Sequence, residues 1–423
     1  MKSSLPLSRS FMGPIINKST LIPITLILLG CGLWPEMELL VPSLPSMKKV
    51  FGIGDGEIQQ LLTANFFGFL LGVLVAGPLC DSLGRKAVLK YGAIGYLISS
   101  ALCIFSGNFY VLMAARFLQG IAMTGPVIAG SVIMMEMTSG PKQVFWMSLA
   151  NSMVTFCMAA APIIGAWIND AAGYKGNLWS ILILGIVGIT PSLVLAPETL
   201  VPMKRTRFKP THLFKGYLAL LKDWRFMIFA TPICSLAAAY WVYVGVSALY
   251  MVDHLGIQPS LFGRYQGPIV GCFAVFSLGS SRLLTKFGLE NCLRTGIICM
   301  FSGAIPLFIM SALSQDSAIW TTLFMMLFVG GMAPLCSLLF PYCLKHLPDE
   351  LQGSAQAMIQ AIRLALASLG TFILGFIYSG PLLPVATILL AMLCLSTLLL
   401  WLGRNLLTED SGDDKDKVTW ASH

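Results

Sequence analysis

Charge is what this chain has least of. Only 11% of its 423 residues are Asp, Glu, Lys or Arg, against 56% hydrophobic residues. A soluble domain carries ~25% charged residues, so a soluble fold is excluded. Histidine is scarce as well, with four in all. No His/Cys pair has metal-ligand spacing, and there is no C-x-x-C. The phosphate-binding pattern G-x-x-x-x-G-K-[ST] is missing, which removes ATP as an energy source. No arrangement of catalytic residues stands out, so neither an enzyme nor a cofactor or metal site is expected. A cleaved signal is not expected either. The first apolar run is long, contains Pro23, Pro35, Glu36 and Glu38, and lacks a small-residue cleavage pattern after it.

Long apolar runs are what the chain does have. They fall at about 20–44, 58–79, 87–106, 109–135, 144–168, 177–196, 225–251, 261–283, 292–313, 318–342, 353–378 and 381–402. Each is long enough to cross a ~30 Å hydrocarbon core. Lipid offers a bare backbone no hydrogen-bond partner, so each run is predicted to be a helix. The expected fold is an all-α membrane protein with twelve transmembrane helices. Most of the eleven cysteines lie inside these runs and read as small packing residues.

The basic residues orient the chain. With both termini in the cytoplasm, the inside segments hold Lys2, Arg9 and Lys18, then Arg85, Lys86 and Lys90, then Arg282, Lys286 and Arg294. The stretch 197–225 adds Lys204, Arg205, Arg207, Lys209, Lys215, Lys222 and Arg225. The outside holds little beyond Lys48, Lys49 and Lys175. This positive-inside pattern accounts for the net charge of +8 without any nucleic-acid partner.

The chain also looks duplicated. The interval from Gly84 to Gly92 returns from Gly288 to Gly296, and Gly165 has a counterpart in Gly370. The expected organisation is a cytoplasmic segment (1–19), a six-helix bundle (20–198), a cytoplasmic linker (199–224), a second bundle (225–404) and a disordered tail (405–423).

Five stretches carry a family resemblance. Gly77, Asp81, Gly84, Arg85 and Lys86 follow the spacing G-x-x-x-D-x-x-G-R-K. This resembles the loop between helices 2 and 3 of major facilitator superfamily transporters. Glu38 to Pro45 (ELLVPSLP) resembles the end of helix 1 in Bcr/CflA-type drug/proton antiporters, where the acid is usually Asp. Arg116 to Gly120 (RFLQG) resembles the R-x-x-Q-G motif of helix 4. Ala161 to Ala166 (APIIGA) resembles the helix 5 antiporter motif, matching it at Pro162 and Gly165. Pro197 to Leu200 (PETL) is similar to the end of helix 6 in many members. The resemblance implies two pseudo-symmetric six-helix bundles that rock about a midplane site. It implies export of a small drug-like or metabolite molecule in exchange for protons, that is, multidrug efflux from a multi-pass inner-membrane protein, a monomer.

An ionisable group inside a bilayer costs ~2.5–3.5 kcal/mol on insertion scales, so each one is a functional candidate. Glu38 lies ~9 Å below the end of helix 1 and Arg116 ~10 Å below the start of helix 4. They are expected to pair and to form, with Glu36, the proton-coupling site. Glu36 and Glu38 stand roughly 200° apart on an ideal helix, so they share a cavity only if Pro35 or Pro42 distorts it. Arg363 lies near the midplane with Gln356 and Gln360 on one face below it. It reads as an anchor for an anionic substrate, or as a countercharge for a helix 1 glutamate. Glu36, Gln360, Trp34, Tyr240 and Tyr243 are further candidate substrate contacts, and Tyr250 reads as an interface anchor. Glu136 is expected to pair with the Asp81/Arg85 loop as part of a conformational latch. Arg363 keeps open a dedicated exporter of an anionic metabolite such as a carboxylate siderophore. A proton symporter and a transporter-like receptor or scaffold are further alternatives.

Overall fold

The computed structural model describes residues 18–201, 210–345 and 347–404. The terminal segments and most of the basic linker therefore lie outside the described residues, including Lys2, Arg9, Lys204, Arg205, Arg207 and Lys209. So does the tail expected to be disordered.

Among the described residues the chain is helical, with no strand. Ten helices are long and apolar enough to cross a membrane. One of them, Gly140–Leu195, breaks at Gly173, which has φ 66°. The helix Phe262–Ala312 breaks in the same way at Gly288, with φ 76°. Counting the arms separately, every one of the twelve apolar runs lies in its own helix. They are α1 (Thr20–Phe51), α2 (Asp55–Leu83), α3 (Arg85–Phe105), α4 (Phe109–Met137), α5 (140–172) and α6 (174–195). The second series is α7 (Trp224–His254), α8 (262–287), α9 (289–312), α10 (Ala318–Lys345), α11 (Asp349–Ile377) and α12 (Leu383–Leu402). A further helix, Pro210–Lys222, lies between the two series.

The repeat seen in the sequence has a structural counterpart. Gly84 turns α2 into α3 with φ 102°, and Gly288 turns α8 into α9 at the equivalent place. A left-handed backbone at both turns explains why glycine recurs there. A Cβ on Gly165 would stand 2.4 Å from the Leu39 carbonyl oxygen, so α5 packs tightly on α1. A Cβ on Gly370 would stand 2.4 Å from Val242, so α11 packs on α7 in the same way.

The two bundles meet along equivalent pairs of helices. At α5 and α8, a Cβ on Gly263 would lie 2.5 Å from the Ile163 Cα. At α2 and α11, a Cβ on Gly56 would lie 1.8 Å from the Gly375 carbonyl oxygen. Thr63 and Thr371 share a hydrogen bond of 2.9 Å along the same seam. Small residues let backbones approach closely where no hydrophobic force drives helix association.

α1 is not a simple helix. It breaks at Trp34–Pro35, where proline cannot continue the hydrogen-bond ladder, and narrows to a 3₁₀ turn at Val41–Ser43 before ending at Phe51. These breaks carry Glu36 and Glu38 into the protein interior, where both are buried.

The contact at Gly56 makes a test of bundle closure. Gly56→Ala is expected to force the α1–α2 end apart, because overpacking of this kind costs ~1–3 kcal/mol. Spin labels at Val50 and Leu313, both exposed, should report a longer mean distance across that end than in the unsubstituted protein. An unchanged distance distribution would show that the close approach does not hold the end shut.

Candidate functional site

A cavity of about 1380 Å³ lies between the two bundles. Its walls include Trp34, Glu38, Phe69 and Val127 from the first bundle, and Tyr240, Trp241, Phe273, Met332, Gln356, Gln360 and Arg363 from the second. It reaches Gly77, Pro78 and Asp81 at the α2–α3 end.

The opposite end is held by charge. Lys48 pairs at 2.7 Å with Asp55 of its own bundle and at 2.7 Å with Asp253 of the other, and Lys49 adds a 3.5 Å contact to Asp253. None of the sequence motifs anticipates this clasp. A signal for it is nonetheless present: Lys48 and Lys49 are unusual as basic residues on the side expected to be poor in them. Beside the clasp, His254 stacks on Tyr250 and lies 3.4 Å from Asp316. Tyr250 is fully buried and bonds Thr321 at 3.2 Å, so it packs inside and is not an interface anchor.

Glu38 is completely buried and contributes to the cavity wall. The Tyr240 hydroxyl donates to its Oε1 at 3.2 Å across the bundle interface, while Oε2 has no partner. Glu38 does not pair with Arg116. The two glutamates lie in one short helical segment, Glu36–Leu40, whose pitch points them apart, and it is Glu36 that shares the interior of the first bundle with Arg116.

That interior holds a polar network. Asn65 donates to Glu36 Oε1 at 3.2 Å and to the Arg116 carbonyl at 3.1 Å. Arg116 donates to Gln119 Oε1 at 2.6 Å and to Met37 Sδ at 3.3 Å, and Gln119 donates to Ser100 at 2.8 Å. Glu36 and Arg116 are not within ion-pair distance. Glu36 is absent from the cavity wall, so its expected substrate contact is not formed here. Tyr243 is likewise fully buried behind the wall, with its hydroxyl unpartnered. Trp34, Tyr240, Gln360 and Arg363 do line the cavity.

Arg363 makes no ion pair with either glutamate, nor with any other carboxylate among the described residues. Its Nε is buried without a hydrogen-bond partner.

At the α2–α3 end, Arg85 gathers Asp81 at 3.0 Å and Glu136 at 3.2 Å. Its Nη1 also donates to the Cys80 carbonyl at 2.9 Å. Glu198 joins them by accepting from the backbone N–H groups of Arg85 and Lys86, which open α3, at 3.0 and 3.2 Å. A carboxylate at a helix N-terminus satisfies orphan donors and complements the dipole. Thr199 donates to the free oxygen of Glu136. The stretch from Pro197 to Leu200 therefore ties α6 to the α2–α3 turn. Gly77 has open space on its cavity side. On α5, Gly165 places its backbone against Leu39, next to Glu38, and its carbonyl accepts from Asn177 at 2.9 Å. Pro162 lies at the α5–α8 contact.

This geometry has known counterparts. A sequence profile of the Major Facilitator Superfamily matches residues 26–371. A bicyclomycin resistance protein homolog of Haemophilus influenzae is 23% identical over 337 residues, covering 79% of this chain and 83% of that protein. A chloramphenicol resistance protein of Pseudomonas aeruginosa is 22% identical over 371 residues, covering 85% and 87%. The crystal structure of a D-xylose-proton symporter superposes with a TM-score of 0.70 at 16% identity, over 91% of this chain and 98% of that one.

Arg85 holds Asp81 and Glu136 at the α2–α3 end and is not itself among the residues of the cavity wall. Arg85→Ala is expected to slow turnover several-fold while ligand affinity stays within about twofold, since groups that differ only between conformers shift populations. Paired flux and equilibrium-binding measurements check this. A large loss of affinity with unchanged conformer populations would contradict it.

Proposed function

The chain belongs to the major facilitator superfamily and is a multi-pass membrane transporter; we propose that it exports a small organic molecule from the cytoplasm in exchange for protons. Relatives named for bicyclomycin and chloramphenicol resistance support the direction. The bundles are assigned to residues 20–198 and 225–404, in the inner membrane. The α2–α3 end is assigned to the cytoplasm because Arg85, Lys86, Lys90, Lys215, Lys222, Arg282, Lys286 and Arg294 belong to that side. The cavity then faces inward, and the Lys48–Asp253 clasp closes the outer end.

The observation that carries the coupling is the hydrogen bond from Tyr240 to Glu38. It joins a carboxyl group of one bundle to a hydroxyl of the other, at the wall of the cavity. Rocking the bundles apart at the outer end breaks this bond and exposes the carboxyl group to water. A carboxyl group that alternates between dry and wet surroundings changes its proton occupancy. Glu38 is thus the residue that takes a proton from outside and gives it up inside. Glu36 and Arg116 form a second, enclosed polar site that positions the broken segment of α1 through Asn65 and Gln119. The Asp81, Arg85, Lys86 and Glu136 cluster, with Gly77 and Gly84 at its turn, acts as the latch of the inner end. Pro162 and Gly165 let α5 approach both α1 and α8, and so transmit the rocking to Glu38.

Glu38→Gln is expected to abolish export driven by an imposed pH gradient in proteoliposomes, while the protein still folds and inserts. Tyr240→Phe is expected to retain export at a reduced rate, because the proton site remains and only its interdomain partner is lost. Undiminished pH-driven export by Glu38→Gln would remove Glu38 from the coupling.

A further inference from the structure

Two opposite charges stand in the wall of one cavity without ion-pair partners. Arg363 belongs to α11 of the second bundle and Glu38 to α1 of the first. Ion pairs among the described residues involve Lys48, Lys49, Arg85, His254 and Arg294, and neither cavity charge appears in them. The guanidinium of Arg363 is not relieved by an aromatic face either. The cation–π contacts among the described residues are Lys286 over Phe287 and Arg404 over Trp401. Near Arg363 are the thiols of Cys234 and Cys336, each turned to a backbone carbonyl. One atom on each side is buried and unpartnered: Nε of Arg363 and Oε2 of Glu38.

We infer that the transported substrate is an amphipathic zwitterion, with its anionic group on Arg363 and its cationic group on Glu38. The inference rests on the proton-coupled export reading, whose substrate class it specifies. An unpaired guanidinium in a membrane interior calls for an anion, and its planar fork suits a carboxylate in particular. Gln360 and Gln356, one and two turns before Arg363 on α11, also line the cavity and supply amide donors beside it. Trp34 and Trp241 give the body of the ligand an aromatic wall.

The second charge follows from the exchange itself. A purely anionic ligand would be repelled by ionised Glu38 and welcomed once Glu38 is protonated, which couples proton and ligand in the same direction. A ligand whose cationic end rests on the Glu38 carboxylate competes with the proton for that carboxylate. Mutual exclusion at one acid is what exchange requires. Arg363 holds the other end whatever the proton does, and so orients the ligand toward Glu38.

A matched set of probes tests this: norfloxacin, which carries a piperazine cation and a carboxylate; its methyl ester, cationic only; and its N-acetyl derivative, anionic only. Binding is measured on the purified full-length protein in detergent by calorimetry. The zwitterion is expected to bind at least ~10-fold tighter than either analogue, since each loses one charge-assisted contact. Arg363→Ala should shrink the zwitterion's lead over the ester to under ~2-fold, with Arg363→Lys intermediate. Glu38→Gln should shrink its lead over the N-acetyl derivative in the same way. Lowering the pH from 8 to 7, across which the quinolone carboxyl group stays mainly ionised, should weaken the zwitterion and the ester but not the N-acetyl derivative, and Glu38→Gln should erase that dependence. Thermal unfolding of each variant separates misfolding from lost contacts, and Arg363→Lys serves if Arg363→Ala does not fold.

An ester that binds as tightly as the zwitterion overturns the inference. So does a zwitterion preference that survives Arg363→Ala, or failure of norfloxacin to bind. Flux separates this from the wider reading. Proton-driven export of ethidium and chloramphenicol with no such charge rule would sink the zwitterion and leave proton-coupled export standing. The charge rule in binding, with no proton-coupled flux of any probe, would do the opposite.

Discussion

A lipid interior supplies neither hydrogen-bond partners nor counterions, so each polar group in this chain has to be matched by the chain itself or by what it carries. The rest of the structure follows from how that demand is met. Arg116 is enclosed by Gln119, Met37 and the neighbouring Glu36. Arg85 is ringed by Asp81, Glu136 and the Cys80 carbonyl. Lys48 is held by two aspartates. Of the buried polar atoms left without a partner, Glu38 Oε2 and Arg363 Nε belong to residues of the cavity wall, while Glu36 Oε2 and Arg116 Nε belong to the network inside the first bundle.

Two bundles that hold together through small residues can also separate. The contacts at Gly56–Gly375 and Gly263–Ile163 are close backbone approaches. Among the described residues, polar links between the bundles include Lys48 and Lys49 to Asp253, Tyr240 to Glu38, Thr63 to Thr371 and Ser368 to the Thr63 carbonyl. Within a bundle the backbones approach just as closely. A Cβ on Gly120 would meet the Asn65 carbonyl oxygen at 2.2 Å, and one on Gly68 would meet that of Phe117 at 2.1 Å. Rigid units that meet along such a seam are suited to hinge-like rocking.

Much of this architecture is legible in the amino-acid sequence. Twelve apolar runs read as twelve helices because lipid permits a lone segment no other backbone arrangement. The Gly84 and Gly288 turns are visible as a repeat, since a left-handed turn favours glycine at both copies. The Arg85–Glu136 contact follows from two opposite charges at the same end of the fold. The expected pairing of Glu38 with Arg116 fails because depth along each helix is the only coordinate that a sequence supplies. Depth does not say which way a broken helix points its side chains. Pro35 signals a break in α1, but the rotation it introduces depends on how α5 and α7 pack against the segment.

The sequence by itself therefore determined the membrane-spanning class, the helix count, the duplication and the identity of the intramembrane charges. These rest on local properties: hydropathy, length, and the backbone needs of glycine and proline. Only the tertiary structure decided who meets whom. It placed Glu38 against Tyr240 of the other bundle, drew Glu36 into the network around Arg116, buried Tyr243 and Tyr250, and left Arg363 facing the cavity without a carboxylate. Those outcomes depend on contacts between residues far apart in the chain, and on a distortion in one helix that packing resolves. Helix pitch already sets Glu36 and Glu38 on opposite faces, but which of those faces meets the cavity is decided by how the segment packs once α1 has been broken.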